Sequence, residues 1–98
     1  MIKLKIQSEA NDSAVAIIKS AIAAEIKRLE IGLQKTKKQI QQFEQAYNIS
    51  SEKFLAEFAA EDMKNKDAEY VEWAGELRIR DRIAEDLKRL MEIEYVAQ

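Results

Sequence analysis

The chain has 98 residues, a net charge of −2 at neutral pH, and no His, Cys or Pro. That length holds one domain, expected over residues 1–98. The missing His and Cys remove Ser-His and Cys-His nucleophilic pairs, disulfides and nearly all zinc sites.

Two Gly residues and 35% charged residues leave helix formers dominant, without the turn chemistry of an all-β fold. No run of ~18 uncharged apolar residues is available to span a membrane, and the first residues lack the apolar core of a signal peptide. A soluble, cytoplasmic protein is expected. Residues 1–49 carry eight Lys/Arg against five Asp/Glu, or +3, whereas residues 50–98 carry eight against thirteen, or −5. A basic first arm and an acidic second arm attract each other when folded side by side, which argues against a general nucleic-acid binder.

In chain order, Ile2, Leu4 and Ile6 alternate with Lys3, Lys5 and Gln7, the periodicity of a strand. One strand in a helical chain is expected to lack an internal partner and so to pair with another chain, cover a helix or stay mobile. Ser8 to Ser13 is polar, with Asn11, Asp12 or Ser13 available to cap a helix. From about Ser13 to Tyr47 the apolar positions recur as Val15, Ile18, Ile22, Ile26, Leu29, Leu33, Thr36, Ile40, Phe43 and Tyr47. After Ile26 the steps alternate three and four, the seam of a coiled coil, and the helix is about 50 Å long at ~1.5 Å per residue.

The pattern stops at Asn48 and restarts at Ser50, which can cap a short helix carrying Phe54, Leu55 and Phe58 and ending by Asp62. Ile49 and Phe54 are placed as a hydrophobic staple, but Lys53 stands where a capping box needs Glu or Gln. Met63 to Lys66 is a polar loop, and Asp67 is placed to cap the last helix, expected to run to about Tyr95. Its main seam is Tyr70, Trp73, Leu77, Arg80, Ala84, Leu87 and Met91. Laid antiparallel about the corner, Tyr47 meets Tyr70, Phe43 meets Trp73, Ile40 meets Leu77 and Thr36 falls beside Arg80. Leu33 then meets Ala84, Leu29 meets Leu87 and Ile26 meets Met91. Ile79, Ile83, Leu90 and Ile93 form a second seam, turned away from the first, and widen the apolar arc beyond what one neighbour needs. A two-helix hairpin buries little surface by itself, so this spare face predicts a homodimer forming a four-helix bundle.

Chemistry is sparse. Glu69, Glu72 and Glu76, and the pair Asp81 and Glu85, fall at helical spacing and could offer oxygens to Mg²⁺ or Ca²⁺, but a solvated acidic face accounts for them more simply. Lys35, Lys37 and Lys38 form the sharpest basic cluster, without interleaved aromatics or a helix-turn-helix spacing. No metal, no cofactor and no catalytic residue is expected. Arg80 is expected to pack its stem and pair with an acid such as Glu76. Gly75, mid-helix, costs ~1 kcal/mol relative to Ala unless another chain approaches closely.

The run Phe43-x-x-x-Tyr47-Asn48-Ile49-Ser50-Ser51-Glu52-Lys53-Phe54, followed by Asp67-x-x-Tyr70-x-Glu72-Trp73-Ala74-Gly75-Glu76-Leu77, resembles a group of small prokaryotic helical-hairpin proteins. Many of these are antitoxin-like partners encoded beside toxin-like genes, and an alternating segment like residues 2–6 is typical of them. The Met63–Lys66 loop departs from the group, where a more acidic, Gly-bearing stretch is usual. The resemblance implies a non-enzymatic interaction module with a toxin-like partner. The alternative is a self-assembling coiled-coil scaffold without a dedicated partner. The residues expected at a partner or dimer interface are Phe54, Phe58, Tyr70, Trp73, Ile79, Arg80, Ile83, Leu90 and Ile93.

Overall fold

The computed structural model describes residues 1–6, 12–60 and 68–97. The side chains of Asp12, of residues 58–60 and of Ala97 are not among those described. The caps expected of Asn11, Asp12 and Asp67, the Met63–Lys66 loop, the end of the short helix near Asp62 and the side chain of Phe58 therefore lie outside the described residues. The chain is mostly helical, in the order β1 (Ile2–Ile6), α1 (Asp12–Tyr47), α2 (Ser51–Ala60), α3 (Ala68–Met91) and β2 (Ile93–Ala97). The long α1 packs along α3, and the two strands form a small parallel sheet.

The break between α1 and α2 follows from three residues. Asn48 takes the left-handed conformation, with φ of 55°, which ends α1 where Asn tolerates what a branched side chain would not. Ser50 Oγ accepts the N–H of Lys53 at 3.1 Å, the N-cap bond expected from the sequence. Glu44, one turn before the end of α1, supplies the acid that a capping box lacks here: its Oε2 accepts the N–H of Ser51 at 2.9 Å. Ile49 packs against the same cluster as Phe54.

The core sits at this corner. Ile40, Phe54, Trp73, Ala74 and Leu77 are buried together, with Phe43, Tyr47, Ile49 and Tyr70 packed around them. Three of the expected pairs are found here: Phe43 stacks on Trp73 at 5.7 Å between ring centroids, Tyr47 meets Tyr70 edge-on at 5.3 Å, and Ile40 shares the cluster with Leu77. Farther along, Thr36, Leu29 and Leu87 are buried.

Beyond Leu77 the expected register shifts. Ala84 and Met91 are exposed, while Ile83 and Leu90 are half-buried. Ile83 faces Gly32 of α1, its Cδ1 within 3.6 Å of the point a Cβ there would occupy. The inward steps run Leu77, Arg80, Ile83, Leu87 and Leu90, and two successive steps of three, each ~60° short of a full turn, carry the row facing α1 from 84 and 91 to 83 and 90. The two seams of α3 are thus one seam that changes rows near Arg80. Ile83 is not turned away from α1, and the spare face on which the bundle was argued is smaller than the sequence suggested.

The chain's C-terminal segment differs too. The last helix stops at Met91, and Ile93–Ala97 is a strand rather than a helical continuation to Tyr95. Ile93, Tyr95 and Val96 are β-branched or aromatic, which suits a pleated surface. β1 therefore has its partner within the chain: Ile2 pairs with Ile93, Lys3 with Glu94, Leu4 with Tyr95, Lys5 with Val96 and Ile6 with Ala97. Paired residues of a parallel ladder share a face, so Lys3 and Glu94 attract while Ile2, Leu4, Ile93 and Tyr95 line the other side. Lys19 of α1 lies 5.1 Å from the centroid of the Tyr95 ring and ties the sheet to the helix.

Candidate interaction surface

The residues expected at an interface divide by burial. Trp73 is wholly enclosed and Phe54 is 4% exposed, their rings parallel at 3.9 Å. Trp73 also stacks near Tyr47, and its Nε1 donates to Ser51 Oγ at 3.0 Å. That bond satisfies the indole N–H inside the core, as a buried Trp requires. Neither ring retains surface for a partner. Tyr70 is half-buried, edge-on to Tyr47 and Phe54. The Tyr47 hydroxyl donates to a carboxylate oxygen of Glu69, which closes the corner on its solvent side.

Ile79, at 47% exposure, keeps its outward position. It lies beside an open groove between α1 and α3, lined by Arg28, Leu29, Gly32, Ile79, Arg82, Ile83 and Asp86. Gly32 makes the groove by withholding a side chain, and Ile83 forms part of its wall. Exposed Ile17 and Ile31 project from α1, and exposed Val71 from α3. A second, more acidic groove nearer the corner is lined by Gln39, Gln42, Phe43, Ala46, Glu69 and Glu72.

Several surface charges are paired on their own helices. Arg28 bonds both carboxylate oxygens of Glu25, at 2.6 and 2.7 Å. The Arg28 hydrogen bond holds the Glu25 carboxyl below its ordinary range, and Glu25 in turn raises Arg28. Arg80 is half-buried as expected of a seam position, but it pairs with Asp81 at 3.0 Å and not with Glu76. Its neighbour lies one residue on, along the outer face of the helix, so the guanidinium leaves the seam while the stem stays. Glu85 and Arg89 form an i,i+4 surface pair at 3.4 Å. Among the described residues no group of three or more carboxylates converges as metal ligands would. No described helix is long and apolar enough to cross a membrane.

Two contributors escaped the sequence. Ser51 anchors Trp73, and nothing in its spacing reveals a bond made 22 residues away. The β2 strand did carry a signal. Ile93-Glu94-Tyr95 alternates as Ile2-Lys3-Leu4 does, with charge of the opposite sign.

Comparisons with known proteins add no identity. No family profile matches the chain, and no curated protein or solved structure shows significant similarity to it.

Proposed function

We propose that the chain is a non-enzymatic protein–protein interaction module, an antiparallel helical hairpin that forms a homodimer and covers a partner protein of the antitoxin–toxin kind. Four contacts support the antiparallel course: Tyr47 with Tyr70, Phe43 with Trp73, Gly32 with Ile83 and Lys19 with Tyr95, one number rising as the other falls. The observation that carries the reading is the open groove floored by Leu29, Gly32, Ile79 and Ile83, beside exposed Ile17 and Ile31. Such a surface suits an amphipathic helix of a partner laid into it. No nucleic acid, cofactor or membrane is required by this reading, and its setting is the cytoplasm.

Co-expression of the untagged neighbouring gene product with the tagged chain tests it. Stoichiometric co-purification is expected, and Ile79→Glu and Ile31→Glu are expected to abolish it while helicity is kept. A complex unaffected by both substitutions would refute the groove.

The second reading, a self-assembling scaffold without a dedicated partner, is favoured by one observation. Among the described residues the two-stranded sheet has no third strand on either side. Open edges of that kind join copies readily.

A further inference from the structure

The sheet supplies its own rule for how copies meet. Ile2 donates its N–H to the carbonyl of Glu92 at 3.2 Å. In a parallel ladder of this register, Ile2, Leu4 and Ile6 turn their backbone groups toward β2, and Lys3 and Lys5 turn theirs outward. On the other strand Glu92, Glu94 and Val96 turn toward β1, and Ile93, Tyr95 and Ala97 present their N–H and C=O groups to the opposite edge, where no other described strand pairs.

The two edges are not equivalent toward a second copy. On the β1 edge the outward groups belong to the two lysines, so an antiparallel pairing of β1 with itself sets Lys3 against Lys5, or a lysine against its own copy. Like charges directly opposed across a ladder are destabilising. On the β2 edge a two-fold axis at Tyr95 sets Tyr95 against its own copy and Ile93 against Ala97 in hydrogen-bonded pairs. Glu94 then lies opposite Val96, and no like charges meet. Pairing β1 with β2 of the next copy is heterologous and does not close.

We infer that two copies of the chain join through the free edges of β2, antiparallel about Tyr95, making one four-stranded sheet in the order β1-β2-β2-β1. All the outward groups of Ile93, Tyr95 and Ala97 are then bonded. The edges left outside are those of β1, where lysines are the usual guard against further pairing. The helix grooves stay free for a different partner. The inference rests on the homodimer in the proposed function and specifies its contact.

Proline substitutions separate the edges. Tyr95→Pro removes an N–H that points away from β1, so the chain's own ladder is kept while the joint between copies loses two bonds. Lys3→Pro does the same on the opposite edge. Sedimentation equilibrium is expected to show a dimer for the full chain and an association about 100-fold weaker for Tyr95→Pro. Lys3→Pro is expected to stay within about twofold of the parent. A second measurement does not depend on the proline variants folding. The chain has no cysteine, and a hydrogen-bonded antiparallel pair sets its Cα atoms ~5.5 Å apart, within disulfide reach. Tyr95→Cys is expected to form a covalent dimer under mild oxidation, and Lys3→Cys is not. Dimers that persist in Tyr95→Pro, or crosslink through Lys3→Cys, would overturn the edge while leaving the homodimer standing. A parent chain monomeric at about 100 μM would overturn both, since weaker association than that is not a stable pair.

Discussion

Trp73 gains its place from a hydroxyl in another helix. Ser51→Ala keeps the shape of the corner but leaves the indole N–H buried and unpaired, with an expected loss of ~1–3 kcal/mol. Ser50→Ala removes only the cap of α2 and is expected to cost ~1 kcal/mol. Urea titration followed by the fluorescence of the single Trp separates the two effects. The pH response also follows from single residues. Without His or Cys, no side chain of ordinary pKa titrates between about pH 5 and 7, so stability is expected to be level there. Glu25 has a folded pKa below its unfolded one, so its contribution is present above the unfolded value. That contribution is lost as pH falls through the folded value. Glu25→Gln is expected to flatten the acid limb slightly, as pH-dependent unfolding by circular dichroism would show.

The helices were legible because their signals are local. Alternating three-four spacing, the Asn48 stop and the Ser50 cap all lie within a few residues of what they determine. The corner pairs followed from two such patterns laid together. What the pattern could not carry was the row change of α3, since Ala84 and Met91, and equally Ile83 and Leu90, continue a three-four alternation from Arg80 or Leu77, and only the neighbouring helix decides which set faces inward. The structure puts Ile83 and Leu90 inward and leaves Ala84 and Met91 exposed. Leu87→Ala is therefore expected to cost ~2–5 kcal/mol, and Met91→Ala less than ~0.5 kcal/mol, measured by thermal or urea unfolding. The glycines give a matched test. A Cβ at Gly32 meets Ile83 at ordinary contact distance, and one at Gly75 meets nothing within 4 Å. Alanine at either site is expected to stabilise by up to ~1 kcal/mol. The β2 strand was missed for a different reason: five residues after a helix read as its continuation until their partner, some 90 positions earlier, is placed beside them.

At the scale of the whole molecule, the chain concentrates its packing at two ends: an aromatic core at the corner and a sheet where β1 meets β2. Between them α1 and α3 meet along a seam that changes rows near Arg80, and much of their outer faces is exposed. Ile17, Ile31 and Ile79 stand exposed on those faces. The chain measures 59 × 21 × 19 Å, with a radius of gyration of 19.3 Å against the ~13 Å of a round protein of this length. A rod tumbles with more drag than a ball of the same mass. On a sizing column a lone copy will leave early and pass for a pair, so mass must be weighed by light scattering or sedimentation, not inferred from elution.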